Sequence, residues 1–229
     1  MKKLILNFNS KDSKKIKNSK NFLGGKGANL SEMGRMGLPV PPGFTISTKV
    51  CEIFYKDKKK LNKNLISQIK KELKLLLVAV RSGARVSMPG MMDTILNLGL
   101  NDKTVKALAN KTSNGRFAKD SYRRFIQMYG NVVMGVEGYH FEELIENYKL
   151  TKGVLLDTDL DESDWDGLIE DFKRTVREKA KKDFPQDVYE QLLGAISAVF
   201  LSWESNRAKV YRKLNQISAE WGTAVNVQS

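Results

Sequence analysis

Residues 76–99 read LLVAVRSGARVSMPGMMDTILNLG, and this stretch decides the fold. Residues 76–80 form a continuous apolar run of strand length, which predicts a buried strand. Arg81 and Arg85 follow it directly, separated by Ser-Gly-Ala. Ligands of open α/β sheets bind beyond the carboxyl ends of strands, and planar guanidinium groups suit phosphate oxygens. The pattern is compatible with a phosphate site and equally with arginines paired to acids at a strand end.

The loop that follows carries three methionines around a Pro-Gly pair: Met88, Met91 and Met92. Methionine fills irregular gaps in a core, and it also forms soft apolar walls against planar ligands. On the second interpretation, Asp93 and Thr94 would provide polar contacts to a bound base. Periodicity alone does not choose between the two.

A second glycine-rich stretch, Gly-Gly-Lys-Gly at 24–27, precedes a predicted helix at 28–36 that Gly37 ends. Glycines allow backbone N–H groups to approach an anion, and a helix N-terminus together with Lys26 adds positive potential. The stretch has neither the Walker A spacing nor the dinucleotide Gly-x-Gly-x-x-Gly spacing. It predicts either a phosphate-binding loop or a plain glycine turn.

The first hundred residues alternate predicted strands and helices, the pattern of an α/β fold. Further strands are predicted at 4–8 and 44–47, and helices at 48–55, capped by Thr48, and at 61–74. A last apolar stretch at 223–229 reads as the opening of a strand. An unpaired strand at the chain end would leave ladder groups without partners, so we expect the chain to stop inside a fold.

From residue 101 onward helical periodicity dominates. Asp161 and Asp164 place acid at the start of one helix, which complements its dipole, and Pro185 separates that helix from the next. The predicted helices lie at 105–109, 117–134, 142–148, 168–182, 188–203 and 208–214.

Composition excludes several classes of protein. The 229 residues carry a formal net charge of +13 and are 41% hydrophobic, which is enough for a core and argues against disorder. The lone cysteine, Cys51, rules out an internal disulfide framework and is expected to be inert. The lone histidine, His140, removes most metal and Ser-His chemistry. No apolar stretch is long enough for a membrane span or a signal peptide, and a cytoplasmic location is expected.

The positive charge concentrates in two lysine-rich runs, 11–20 and 56–63. Neither run interleaves aromatic residues or lies on a known nucleic-acid-binding module. A solvated face is therefore the favoured interpretation, and nucleic acid is not an expected partner.

Five motifs, in order along nearly the whole chain, resemble the N-terminal portion of the pyruvate, phosphate dikinase family. The motifs are GGKGANLSEMGRMGLPVPPGFTIST, VAVRSGARVSMPGMMDTILNLGLND, FAKDSYRRFIQMYG, KGVLLDTDL and SWESNRAKVYRKLNQISAEWGTAVNVQ. The second of these motifs favours this family over phosphoenolpyruvate synthase and glucan water dikinase.

The resemblance implies an ATP-grasp-type nucleotide-binding domain of the α/β (α+β) class. It implies a first lobe over 1–100, a helical subdomain over 101–190 and a return to the first lobe over 191–229. Lys26 and Arg81 are implied to bind the ATP phosphates and to stabilise charge during transfer. The full expected ATP-binding set is Lys26, Arg81, Arg85, Met91, Asp93, Thr94 and Arg124, and no metal ligand is expected in this chain.

Enzymes of the family interconvert ATP, phosphate and pyruvate with AMP, pyrophosphate and phosphoenolpyruvate. A histidine on a separate swivelling domain carries the phosphoryl group to a pyruvate-binding barrel, and His140 does not lie in that motif. The Mg²⁺ ligands are expected in a second lobe, into which the family continues where this chain ends. We therefore expect this chain to bind ATP and phosphate but to be inactive alone, and a full-length homodimer is compatible with the resemblance.

One further departure is that the connection before the strand at 76–80 is shorter than in the family. The competing hypothesis is a non-catalytic basic remnant that binds nucleotide weakly, nucleic acid or a partner protein.

Overall fold

The computed structural model describes residues 3–10, 12, 16, 18–73 and 77–229, so half of the first lysine-rich run and the start of the predicted strand at 76–80 lie outside the described residues. Five strands are described: β1 (Ile5–Asn7), β2 (Gly43–Ile46), β3 (Val78–Ala84), β4 (Thr94–Leu98) and β5 (Thr223–Gln228). They form one sheet in the order β1-β2-β5-β3-β4.

Nine α-helices occur among the described residues. Their bounds are α1 (Ser19–Arg35), α2 (Thr48–Lys56), α3 (Lys63–Glu72), α4 (Thr104–Thr112), α5 (Gly115–Val132), α6 (Tyr139–Lys152), α7 (Glu162–Ala180), α8 (Val188–Ser202) and α9 (Asn206–Leu214). Short 3-10 turns cover Asp157–Asp159 and Ala219–Trp221.

The chain divides into two compact units. The first, called the sheet unit here, comprises Met1–Thr94 and Leu193–Ser229, and the second, the helical unit, comprises Ile95–Leu192. Each unit has its own buried aromatic and aliphatic residues, as an independent core requires.

The sheet is antiparallel, and β3 continues through Arg81 to Ala84, which corrects the expectation that Arg81 lies beyond the carboxyl end of its strand. β2 pairs with β1 and β5, and β3 pairs with β5, all antiparallel. The terminal strand is also not unpaired: Asn226 of β5 lies opposite Thr45 on one side and Arg81 on the other. Local sequence could not reveal this, because its partners lie more than a hundred residues away.

Alternation along the strands gives the sheet two different faces. Val227 lies beside Phe44 and Val80, and all three are buried in the core. The opposite face carries Thr45 and Asn226, and α1 packs on it.

Two predicted helix starts are corrected. Thr48 does not cap α2; Ser47 occupies the cap position, and the Thr48 hydroxyl donates a hydrogen bond to the Asn21 carbonyl. The helix predicted from 28 begins nine residues earlier, at Ser19. Its predicted end is confirmed, because Gly37 lies just beyond it at φ 77° and the Leu38 N–H donates back to the Met33 carbonyl.

The helical unit is built from amphipathic helices whose starts are capped. Asp161 accepts from the Ser163 and Asp164 amides while the Asp164 carboxylate accepts from the Asp161 amide, a complete capping box at the start of α7. In the core of the unit, the rings of Tyr122, Phe125 and Tyr129 surround Phe184 at centroid distances of 5.5–6.2 Å. The acidic start that the sequence predicts for α7 is confirmed by the capping box.

Candidate functional site

The glycine-rich stretch is not a simple turn before a helix but a break inside α1. Gly24 has φ 69° and ψ 169°, so helical geometry stops there and a new helical run begins at Gly25. Lys26 therefore lies in the first turn of that run, where backbone N–H groups lack carbonyl partners four residues back. Positive potential and an ammonium group coincide at this point.

The break is fixed by close packing of α1 on the sheet. A Cβ at Gly24 would lie 1.6 Å from the carbonyl oxygen of Gly83 in β3. A Cβ at Gly27 would lie 2.7 Å from the Thr45 Oγ1 and 2.9 Å from the Asn226 Oδ1. No other residue type fits this approach at Gly24, since the φ is also left-handed. The glycines thus place Lys26 directly over the end of β3.

The positive charges of Lys26 and Arg81 are close enough to influence one another. Partial burial, and then the charge of Arg81, lower the pKa of the Lys26 ammonium. Within the described parts of the chain neither cation has an ion-pair partner, and the buried Nε of Arg81 has no hydrogen-bond partner. Two cations held together without an acid form a site that favours an anion.

A cleft of about 600 Å³ opens beside these groups, entirely within the sheet unit. One wall is the second run of α1, which contributes Lys26, and the other is β3 and the methionine-rich loop. The loop, residues 87–93, contributes Met88 and Met92, and Thr94 follows it at the start of β4, so the cleft has a cation at one wall and an apolar side. That combination suits a ligand with both a phosphate chain and a planar apolar part.

The three methionines have two roles. Met88 is buried against Trp203 and Ala208, and Met91 and Met92 pack on the same cluster. Met88 and Met92 also line the cleft, whereas Met91 is not among its lining residues. The core-filling interpretation thus describes all three methionines, and the interpretation as an apolar wall of a ligand site is compatible with Met88 and Met92.

Two residues of the expected set have protein partners in this structure. The Asp93 carboxylate pairs with the Arg207 guanidinium. The Arg85 guanidinium lies over the Trp221 ring, 5.2 Å from its centroid, and lines a separate cavity of about 380 Å³. Arg85 therefore does not share the cleft of Lys26.

Arg124 lies in the helical unit. It is on α5, more than half exposed, with its Nε 3.1 Å from the Asp120 carboxylate, which also pairs with the buried Arg123. Its place in an ATP site stays a prediction.

The lone cysteine and the lone histidine of the chain have surroundings typical of structural residues. Burial raises the pKa of the Cys51 thiol to about 11, so the thiolate nucleophile is absent at neutral pH. His140 stacks beside Tyr139, with ring centroids 4.0 Å apart. No group of three or more His, Cys, Asp or Glu side chains that could hold a metal ion occurs among the described residues.

Sequence reasoning missed three residues around the site: Asn226, Trp221 and Arg207. Each reaches the site by long-range packing, and a local pattern carries no signal for such contacts. None of the helices in the described parts of the chain is long and apolar enough to cross a membrane.

Fold and site together define an α+β domain whose cationic cleft suits a phosphate-bearing ligand. The family described as pyruvate phosphate dikinase, AMP/ATP-binding domain, matches residues 20–76 and 59–229, and the chain belongs to this family. The two matched pieces overlap just ahead of β3, where the sequence indicates a shortened connection.

Curated proteins similar to this chain are pyruvate, phosphate dikinases. The chain is 50% identical over 92% of its length to pyruvate, phosphate dikinase of Clostridium symbiosum, and 46% identical over 100% of its length to that of Rhizobium meliloti. It is 49% identical over 100% of its length to the chloroplastic enzyme of Flaveria trinervia. The matches cover 26%, 27% and 25% of those proteins, so the chain spans about a quarter of their length.

Proposed function

We propose that the chain binds ATP in the cleft between α1 and β3, with Lys26 and Arg81 holding the phosphates. The observation that carries this proposal is the pair of cations without acidic partners among the described residues: Lys26 lines the cleft beside a helix start, and Arg81, which is not itself a lining residue, lies close enough to lower the Lys26 pKa. Charge-assisted hydrogen bonds from an ammonium and a guanidinium suit phosphate oxygens. The family's AMP/ATP-binding description supports the same ligand.

We further propose that the adenine base lies along the methionine-rich loop. Met88 and Met92 supply polarizable apolar contacts, and the half-buried Thr94 lies at the same wall. Met91, Asp93, Arg85 and Arg124 remain predicted members of the ATP site; the protein partners described above are what a bound nucleotide would have to displace or share.

In architecture we propose the first lobe of an ATP-grasp domain for residues 1–100 and 191–229, and its helical subdomain for 101–190. The contact-defined units support these bounds, since their borders fall at Thr94 and Leu192.

For the full-length protein, we propose the dikinase reaction, in which ATP, phosphate and pyruvate give AMP, pyrophosphate and phosphoenolpyruvate. The part played by this chain is to bind and orient the triphosphate and to stabilise the charge that develops on the transferred group. The phosphohistidine and the pyruvate site are proposed to lie on other domains, because His140 does not lie in the family's phosphohistidine motif. Mg²⁺ would accompany ATP, and its protein ligands are proposed to lie in the second lobe. A cytoplasmic location and a homodimer also stay predictions.

Calorimetric titration of ATP tests the proposal. Lys26→Ala and Arg81→Ala each remove one charged contact, so each is expected to weaken binding at least about tenfold. Arg174→Ala is the matched control, because Arg174 is exposed and pairs with Asp171 in the helical unit; its affinity should equal that of the unmodified chain.

Two results would contradict this function. One is equal ATP affinity in all four proteins. The other is strongly salt-dependent binding of DNA with no ATP binding, which is the result expected of a basic remnant. Turnover of pyruvate by the purified chain would overturn the expectation that it is inactive alone.

A further inference from the structure

The methionine-rich loop, residues 87–93, is held by contacts from a distant part of the chain. The Arg207 Nε donates to the Met91 carbonyl at 3.2 Å, and the same guanidinium pairs with the Asp93 carboxylate. The Asp93 amide donates to the Ser202 hydroxyl at 3.3 Å. Three contacts within residues 91–93 thus come from the end of α8 and the start of α9.

The anchor differs from an ordinary surface ion pair. The Asp93 side chain is only 23% exposed, and Ser202 is buried. A single guanidinium contacts a side chain and a backbone carbonyl of the same loop, which fixes the loop's path as well as its charge balance. An isolated, exposed ion pair would fix neither the path of a loop nor its charge balance.

The segment that joins α8 to α9, just before Arg207, is held by contacts of its own. The buried Arg212 donates to the Trp203 carbonyl, pairs with Glu204 at 3.1 Å, and lies over the Trp203 ring at 4.2 Å. The Trp203 indole N–H donates to the Ala219 carbonyl at 2.9 Å, and its ring packs on Met88. Arg207 therefore extends to the loop from the start of a helix whose neighbouring residues are held by hydrogen bonds and packing.

We propose that Arg207 is a positioning residue that, through Asp93 and the Met91 carbonyl, holds the loop as the apolar wall of the nucleotide cleft. The inference rests on the proposed function for the identity of the ligand, but not for the anchoring itself. It gives Asp93, as a member of the ATP site, an anchoring role in place of the direct contact to the base that the sequence suggests.

Amide hydrogen exchange of the intact chain tests the anchor without any ligand. In Arg207→Ala, exchange at residues 91–94 should accelerate about fivefold or more, since the loop loses its contacts and opens more often. Arg207→Lys retains a charge for Asp93 but lacks the planar guanidinium, and should show a smaller increase. Lys209→Ala is the control: Lys209 lies on the same helix, is equally exposed and pairs with Glu204, so loop exchange should not change.

ATP titration of the same proteins tests the consequence. Arg207→Ala and Asp93→Asn should weaken ATP by a similar factor, about fivefold, and the double variant should be no weaker than either single one. Unchanged loop exchange in Arg207→Ala would overturn the inference, as would additive losses in the double variant, which would place Asp93 on the nucleotide. Absence of ATP binding by the unmodified chain would overturn the proposed function, while the exchange comparison would still decide the anchor.

Discussion

Cations that pair with two acids each in the helical unit contrast with one adjacent pair of cations in the sheet unit, where further cations, such as Arg207 and Arg212, do have acidic partners. In the helical unit, five cationic side chains each lie within ion-pair distance of two carboxylates: Lys119, Arg123, Lys149, Lys152 and Lys173. In the sheet unit, Lys26 and Arg81 lie near one another and neither has an acidic partner among the described residues.

The difference separates charges that stabilise the fold from charges left available to a ligand. A paired cation gains its Coulomb energy within the protein, whereas two adjacent unpaired cations repel and raise the free energy of the folded state. An anion that binds between them removes the repulsion. The net charge of +13 says nothing of this distinction, because both kinds of cation count equally in it.

The largest expected effect concerns the packing that brings the two cations together. Gly24→Ala should lower the free energy of unfolding by about 3 kcal/mol or more, because its Cβ would overlap the Gly83 carbonyl and its φ is left-handed. Gly153→Ala in the helical unit is the matched control, with φ 72° and open space around it, and should lose only about 1 kcal/mol. Urea denaturation measures both. Equal losses would show that α1 does not approach β3 as described.

A smaller effect contrasts one arginine from each unit. Arg123→Met should destabilise the chain by about 2–3 kcal/mol, because Arg123 is buried and its loss leaves Asp120 and Asp157 short of a partner. Arg81→Met removes a cation that has no ion-pair partner and repels Lys26, so stability should stay within about 0.5 kcal/mol or rise. If thermal denaturation shows Arg81→Met to be the more damaging change, Arg81 has a structural role and the contrast fails.

The smallest effect is a dependence of stability on pH. Because the pKa of Lys26 is lowered in the folded chain, the unfolded chain binds more protons between that lowered value and the ordinary lysine value of 10.5. Stability from this group therefore rises with pH through that window and is lowest below it. Lys26→Met should flatten the rise in urea midpoints across this range, and Arg81→Met should reduce it. An unaltered slope in Lys26→Met would mean that the ammonium is not perturbed.

The sequence predicted most local structure, and it missed what depends on distant contacts. Helix positions in the helical unit, and the strands at 44–47 and 223–229, followed from periodicity and caps. β4 was missed, because Thr94–Leu98 was interpreted only as an extension of the methionine-rich loop. The central position of β5 depends on pairing with β2 and β3, which no local pattern encodes.

The site shows the same limit. The glycines and Lys26 were found from their spacing, and Arg81 from the apolar run before it, although Arg81 lies inside β3 and not after it. The surroundings of Arg85 and Asp93 were not, because their partners Trp221 and Arg207 come from the last 23 residues of the chain. Residue type and spacing indicated which groups can bind phosphate, but not which of them the fold leaves unpaired.

The most direct test of the central claim is the pKa of Lys26 itself, followed by NMR of lysine-labelled protein with and without ATP. The Lys26 resonance is assigned by its loss in Lys26→Arg. If the two unpaired cations hold the phosphates, ATP should raise the Lys26 pKa, because the added negative charge favours the ammonium form. A Lys26 pKa that stays the same while ATP is bound would contradict the account.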